Sequence, residues 1–153
     1  MNTIVTAPII SRNAINVMKT HGGETYPYEC CGALLGRTEN GFSVVDAFPL
    51  SNSTDEGPRR RFLITPDDYI RAERRASDLG LQLVGFYHSH PDHPAQPSQY
   101  DLERAWPNFL YVIASTENGV ATDIRCWRLD EDRSRFVETG IDRGSDGGLE
   151  GCG

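Results

Sequence analysis

The stretch LVGFYHSHPDHPAQPSQYD, residues 83 to 101, limits the fold more tightly than any other part of the chain. Its first half is apolar and aromatic, the composition of a buried strand. The segment between His90 and Ser98, PDHPAQP, then holds three prolines. Proline has no N–H to give a ladder, so the sheet cannot run on through it. The chain has to turn back there, and Ser98-Gln99-Tyr100-Asp101 opens a helix on the return.

The same turn gathers chemistry. His88 and His90 stand two apart at the strand end, and a period of two puts both imidazoles on one face. Ser98 and Asp101, three apart at a helix start, share a side. Two imidazoles and a carboxylate make a three-ligand zinc site with a fourth position for water. The Ser98–Asp101 spacing also resembles a capping box, which needs no metal. His93 falls inside the turn and reads as exposed rather than liganding. Ser89 points to the opposite face, as a structural residue or a hydrogen-bond partner for the imidazoles. The ordered set His-x-His-x7-Ser-x2-Asp is more specific than any of its parts.

The flanking elements are legible from local signals. Ser11 is placed to cap a helix over about residues 11–21, with Gly22-Gly23 as its stop. CCGALLGR reads as a buried strand, and FSVVDAF as its hairpin partner across the Asn40-Gly41 turn. PLSNSTDEGPRR reads as an exposed loop and RFLI as a short strand. TPDDYIRAERRASDLG is a helix with Thr65 at the cap, Pro66 in the first turn and Gly80 beyond the end. FLYVIAS and TDIRCWRL are later strands. With no internal repeat and an irregular alternation of types, the class is α/β, a mixed central β-sheet flanked by helices.

At 153 residues the chain suits one globular domain, here residues 1–139, followed by a flexible glycine-rich tail, 140–153. A net charge of −7 argues against nucleic acid or an anionic membrane as the main partner. No apolar run reaches a membrane span, and MNTIVTAPIISRN lacks the basic and apolar start of a secretory signal, so a cytoplasmic location is expected. Adjacent Cys30 and Cys31 point to opposite faces of a strand, which disfavours a disulfide between them; reduced, partly core thiols are expected.

These residues resemble the JAMM (MPN+) metalloprotease family. His88-Ser89-His90, Pro91, Ser98 and Asp101 match its motif without a gap, and YPYECCGALLG is similar to its N-terminal block. The likeness covers about residues 7–138 and is strongest to compact bacterial members resembling sulfur-carrier-protein proteases. It implies a cytidine-deaminase-like MPN fold and Zn2+ held by His88, His90 and Asp101. It further implies Glu29, rather than Glu24, as the acid/base and Ser98 as a donor to the developing oxyanion. By the same resemblance the substrate is a ubiquitin-like or sulfur-carrier protein, cut after its C-terminal Gly-Gly. Only LERAWPN separates Asp101 from the next strand, where chain-selective relatives carry a long insertion, and this favours a minimal enzyme.

Two other readings stand beside this one: a thiol hydrolase built on Cys30 or Cys31, and a non-catalytic MPN scaffold in a protein complex. Two further features have their own expectations. Arg59-Arg60-Arg61 is a solvated loop or a patch for an acidic partner. The tail carries Gly147-Gly148 and Cys152, which would let it occupy the cleft as a self-inhibitor, against the plainer expectation of a solvent-exposed chain.

Overall fold

The computed structural model describes residues 7–51, 64–130 and 132–143. Its elements run β1 (Ile9–Ile10), α1 (Arg12–Thr25), β2 (Cys31–Arg37), β3 (Ser43–Leu50), α2 (Pro66–Asp78), β4 (Gln82–Pro91), α3 (Gln99–Arg104), β5 (Leu110–Glu117), β6 (Val120–Leu129) and β7 (Phe136–Thr139). The strands form one mixed sheet in the order β1-β3-β2-β4-β5-β6-β7, with β1–β3 and β4–β5 parallel. The expected α/β class and central mixed sheet are borne out.

Local chemistry explains most of the boundaries. Ser11 accepts the Ala14 N–H at 3.1 Å and caps α1. Thr65 and Asp68 form a full capping box at α2, with Pro66 inside the first turn. Asn40 (φ 58°) and Gly41 (φ 95°) take the left-handed turn that joins β2 to β3. Helix α1, however, does not stop at Gly22-Gly23 but runs on to Thr25. There the glycines serve close packing instead. A Cβ on Gly22 would lie 3.2 Å from Thr116 Cγ2, and one on Gly23 would lie 2.6 Å from the Gly119 carbonyl oxygen.

The sheet separates two cores. On one face α1 sets Ile15 and Met18 against Cys30, Leu34, Tyr87 and Cys126. On the other, Ala72 and Ala76 of α2 meet Cys31, Leu35, Phe86 and Tyr111. Cys30 and Cys31 therefore point to opposite faces, and Cys30, Cys31 and Cys126 are buried free thiols. Leu34 pairs with Gly85 but Leu35 with Leu83, a bulge that shifts the phase of β4. Beyond it Phe86 belongs to the α2 side and Tyr87 to the α1 side, so His88 and His90 follow Phe86.

No described helix is long and apolar enough to cross a membrane. The expected strand at 61–64 and the Arg59–Arg61 cluster lie outside the described residues, apart from Ile64. Past β7, Asp142 bridges to Ile9 and its N–H donates to the Pro8 carbonyl at 2.8 Å. Residues 144–153, with Gly147-Gly148 and Cys152, also lie outside the described residues.

Candidate metal centre

Strand β4 ends in the proline-rich loop, and α3 brings the chain back across the α2 side of the sheet. Three ligand-type atoms converge there. His88 Nε2 and His90 Nε2 are 3.1 Å apart, and Asp101 Oδ2 lies 3.2 Å from the first and 3.3 Å from the second. His88 and Asp101 are buried, while the His90 side chain keeps 11% of its accessible area. Among the described residues, this trio is the group of three or more histidine, cysteine or acidic side chains arranged to hold an ion.

The donor set fits a metal. His90 Nδ1 lies 2.9 Å from the Pro94 carbonyl, an acceptor, so that nitrogen carries the ring proton and Nε2 presents its lone pair to the site. A tetrahedral ion with ligands at about 2.0–2.1 Å has ligand–ligand edges of about 3.3 Å, which matches the observed triangle. Burial pushes the His88 pKa down, more than Asp101 pulls it up, which favours the neutral imidazole a metal needs. Burial alone would raise the Asp101 carboxyl. The two imidazoles packed beside it and the Ser98 backbone N–H outweigh it and hold the group well below the usual carboxylate range.

Asp101 serves two structures with one atom. Its Oδ2 accepts the Ser98 N–H at 2.8 Å, and Ser98 Oγ accepts the Asp101 N–H at 3.1 Å, which completes a capping box at α3. The capping reading and the ligand geometry are thus both present.

Beside the triangle opens a cleft of about 890 Å3, lined by Pro27, Glu29, His90, Pro94, Ser98 and Asp101 among others. Glu29 is 7% exposed and stands two residues before β2, whose Cys31 pairs with His88. Glu24 lies exposed on α1. Ser98 stands exposed at the rim. His93 is exposed, and among the described residues its hydrogen bonds are made by its backbone, the carbonyl taking the Ser115 hydroxyl at 2.6 Å. Ser89 faces the α1 side and accepts the Cys30 N–H at 2.8 Å, which ties β2 to β4 rather than supporting an imidazole. Sequence reasoning missed Tyr26, whose hydroxyl donates to both Asp92 carboxylate oxygens at 2.7 and 2.9 Å and joins the Glu29 segment to the loop.

The family model for prokaryotic homologs of the JAB domain matches residues 11–130. The chain belongs to that family. Desampylase of Haloferax volcanii is 36% identical over 112 residues, 72% of this chain and 78% of that protein. A probable TtuB-protein conjugate cleaving protease of Thermus thermophilus is 32% identical over 108 residues, 71% of this chain and 70% of the relative. The solution structure of a protein from Salinibacter ruber superposes with a TM-score of 0.71 at 40% identity, covering 88% of this chain and 90% of that one. The crystal structure of a JAB1/MPN domain protein from Archaeoglobus fulgidus gives 0.54 at 18% identity, over 88% and 98% of the two chains, a likeness of fold alone. The resemblance to the JAMM (MPN+) family is thereby borne out, and this JAB-family chain is a JAMM-type hydrolase.

Proposed function

We propose that this JAB-family hydrolase is a zinc-dependent (iso)peptidase that cuts after the C-terminal Gly-Gly of a ubiquitin-like or sulfur-carrier protein in the cytoplasm. The observation that carries the reading is the triangle of His88 Nε2, His90 Nε2 and Asp101 Oδ2, with edges of 3.1–3.3 Å beside the cleft. The names of the relatives, desampylase and a TtuB-conjugate protease, support the substrate class.

Held by His88, His90 and Asp101, zinc would supply Lewis acidity, polarising the scissile carbonyl and making water ionise near neutral pH. The side chains of this protein then do the rest. The Glu29 carboxylate accepts a proton from the attacking water and returns it to the leaving amine nitrogen. The Ser98 hydroxyl donates to the carbonyl oxygen as negative charge develops there. It suits that task because Oγ already accepts the Asp101 N–H, while its own proton meets no acceptor among the described residues. Pro27, Pro94 and Pro97 give the cleft stiff walls, which favours a peptide end free of side chains.

Burial argues against thiol catalysis. It pushes Cys30 up to about 11, and Cys31 higher still, so neither offers a thiolate at neutral pH. The retained ligand triangle argues against a non-catalytic scaffold.

The test is a carrier protein joined through its terminal Gly-Gly to a reporter amine. Cleavage should leave a free Gly-Gly end, stop on chelation, return with added zinc and persist after alkylation. Activity that survives exhaustive chelation sinks the zinc reading, and failure to cleave any such conjugate favours the scaffold.

A further inference from the structure

Three consecutive carbonyls of the proline-rich loop are each taken by a side chain from a different strand. The His93 carbonyl accepts from Ser115 Oγ of β5 at 2.6 Å, and the Pro94 carbonyl from His90 Nδ1 of β4 at 2.9 Å. The Ala95 carbonyl accepts from the Trp127 indole Nε1 of β6 at 3.1 Å. These strands are neighbours in the sheet, and His90 and Ser115 are register partners. The start of the loop is tied as well, by the Asp92 N–H to the Thr116 carbonyl at 2.7 Å.

The loop depends on such outside donors, because its prolines have no N–H with which to hold one another. Peptide planes are rigid, so fixing the carbonyls on either side of Pro94 limits how far the one between them can swing. That middle carbonyl decides which nitrogen of His90 carries the proton. Held on Nδ1, it leaves Nε2 as a lone pair 3.1 Å from His88 Nε2 and 3.3 Å from Asp101 Oδ2.

We propose that Trp127, with Ser115 beside it, is a positioning residue of the metal site: it holds the loop so that the Pro94 carbonyl keeps His90 in the ligating tautomer. The inference rests on the zinc reading above. Trp127 also packs half-buried against the core around Tyr111, so its indole N–H has to be separated from its ring. Trp127→Phe does this by removing the donor and keeping an aromatic side chain.

Two readouts decide it. Zinc affinity by chelator competition should weaken in Trp127→Phe, by up to the roughly 10–100-fold that losing a metal ligand's own hydrogen-bond partner costs. In zinc-free protein the imidazole 15N shifts of His90 should report the Nδ1–H tautomer in the wild type, and a mixture in the variant. Wild-type affinity together with an unchanged tautomer in Trp127→Phe overturns the proposal. If the wild type itself takes up no zinc, the zinc reading falls, and the tautomer comparison alone still decides the role of Trp127. Should Trp127→Phe fail to fold, Ser115→Ala removes only a hydroxyl and takes its place in both measurements. Weaker zinc binding and a mixed tautomer there support the proposal, and wild-type values for both overturn it.

Discussion

At the scale of single residues, Asp101 and Ser98 each combine a helix cap with a place in the site. Ser98→Ala therefore removes two things at once. Losing the cap should cost about 1 kcal/mol of stability. Losing the oxyanion donor should lower kcat about 10²–10³-fold. Ser98→Thr retains a hydroxyl and should keep most of both. Steady-state kinetics with urea denaturation checks this, and an Ala variant with near-normal kcat but reduced stability would leave Ser98 as a cap alone. The residues differ in how far the sequence betrays them. His88 and His90 follow the strand period, and Ser98 and Asp101 follow the helix spacing, so their convergence is readable as local geometry. Glu29 sits just ahead of a strand, where no period marks it, and only the family likeness singles it out. Ser115 and Trp127 act on a loop distant in sequence, and no local pattern could reveal that.

At the scale of elements, signals that act within a few residues were legible: the α2 capping box, the Asn40-Gly41 turn and the stop imposed by the prolines after β4. What escaped depends on tertiary packing. Gly22-Gly23 looks like a helix stop, yet α1 continues because the glycines let it lie against β5 and the β5–β6 turn. Strand β7 is short and mostly exposed, and it forms by pairing with β6 rather than by any apolar alternation of its own. The bulge in β4 is equally silent in sequence, although it sets the face on which His88 and His90 emerge. Gly23→Ala puts the two kinds of effect in opposition. Helix propensity alone would stabilise by up to about 1 kcal/mol. The added Cβ, however, would meet the Gly119 carbonyl at 2.6 Å, and backbone cannot easily give way, so overpacking of about 1–3 kcal/mol should win. Urea titration should show a lower midpoint; a raised one would mean that the turn relaxes freely.

At the scale of the whole molecule, the sheet divides the protein into an α1 side and an α2 side that carries the cleft, with buried thiols and tyrosines in both. Burial pushes Cys30 and Cys126 up to about 11 and Tyr111 up to about 12, and raises Cys31 and Tyr87 further. The unfolded chain releases these thiol protons near pH 9, whereas the folded chain keeps those of Cys30 and Cys126 to about pH 11. The stabilisation is complete below pH 9 and is lost as pH rises through the folded values. Unfolding free energy should therefore fall between about pH 9 and 11, by a few kcal/mol for each thiol held protonated. A flat profile there would mean that the thiols are not held protonated. The central claim is a metal bound once per molecule by His88, His90 and Asp101, and elemental analysis of the purified chain tests it most directly. The wild type and Glu29→Gln should each carry about one zinc per chain, with turnover lost in the latter, and His88→Ala should carry none, since ligand loss leaves two protein donors. Full zinc in His88→Ala, or none in the wild type, would contradict the account.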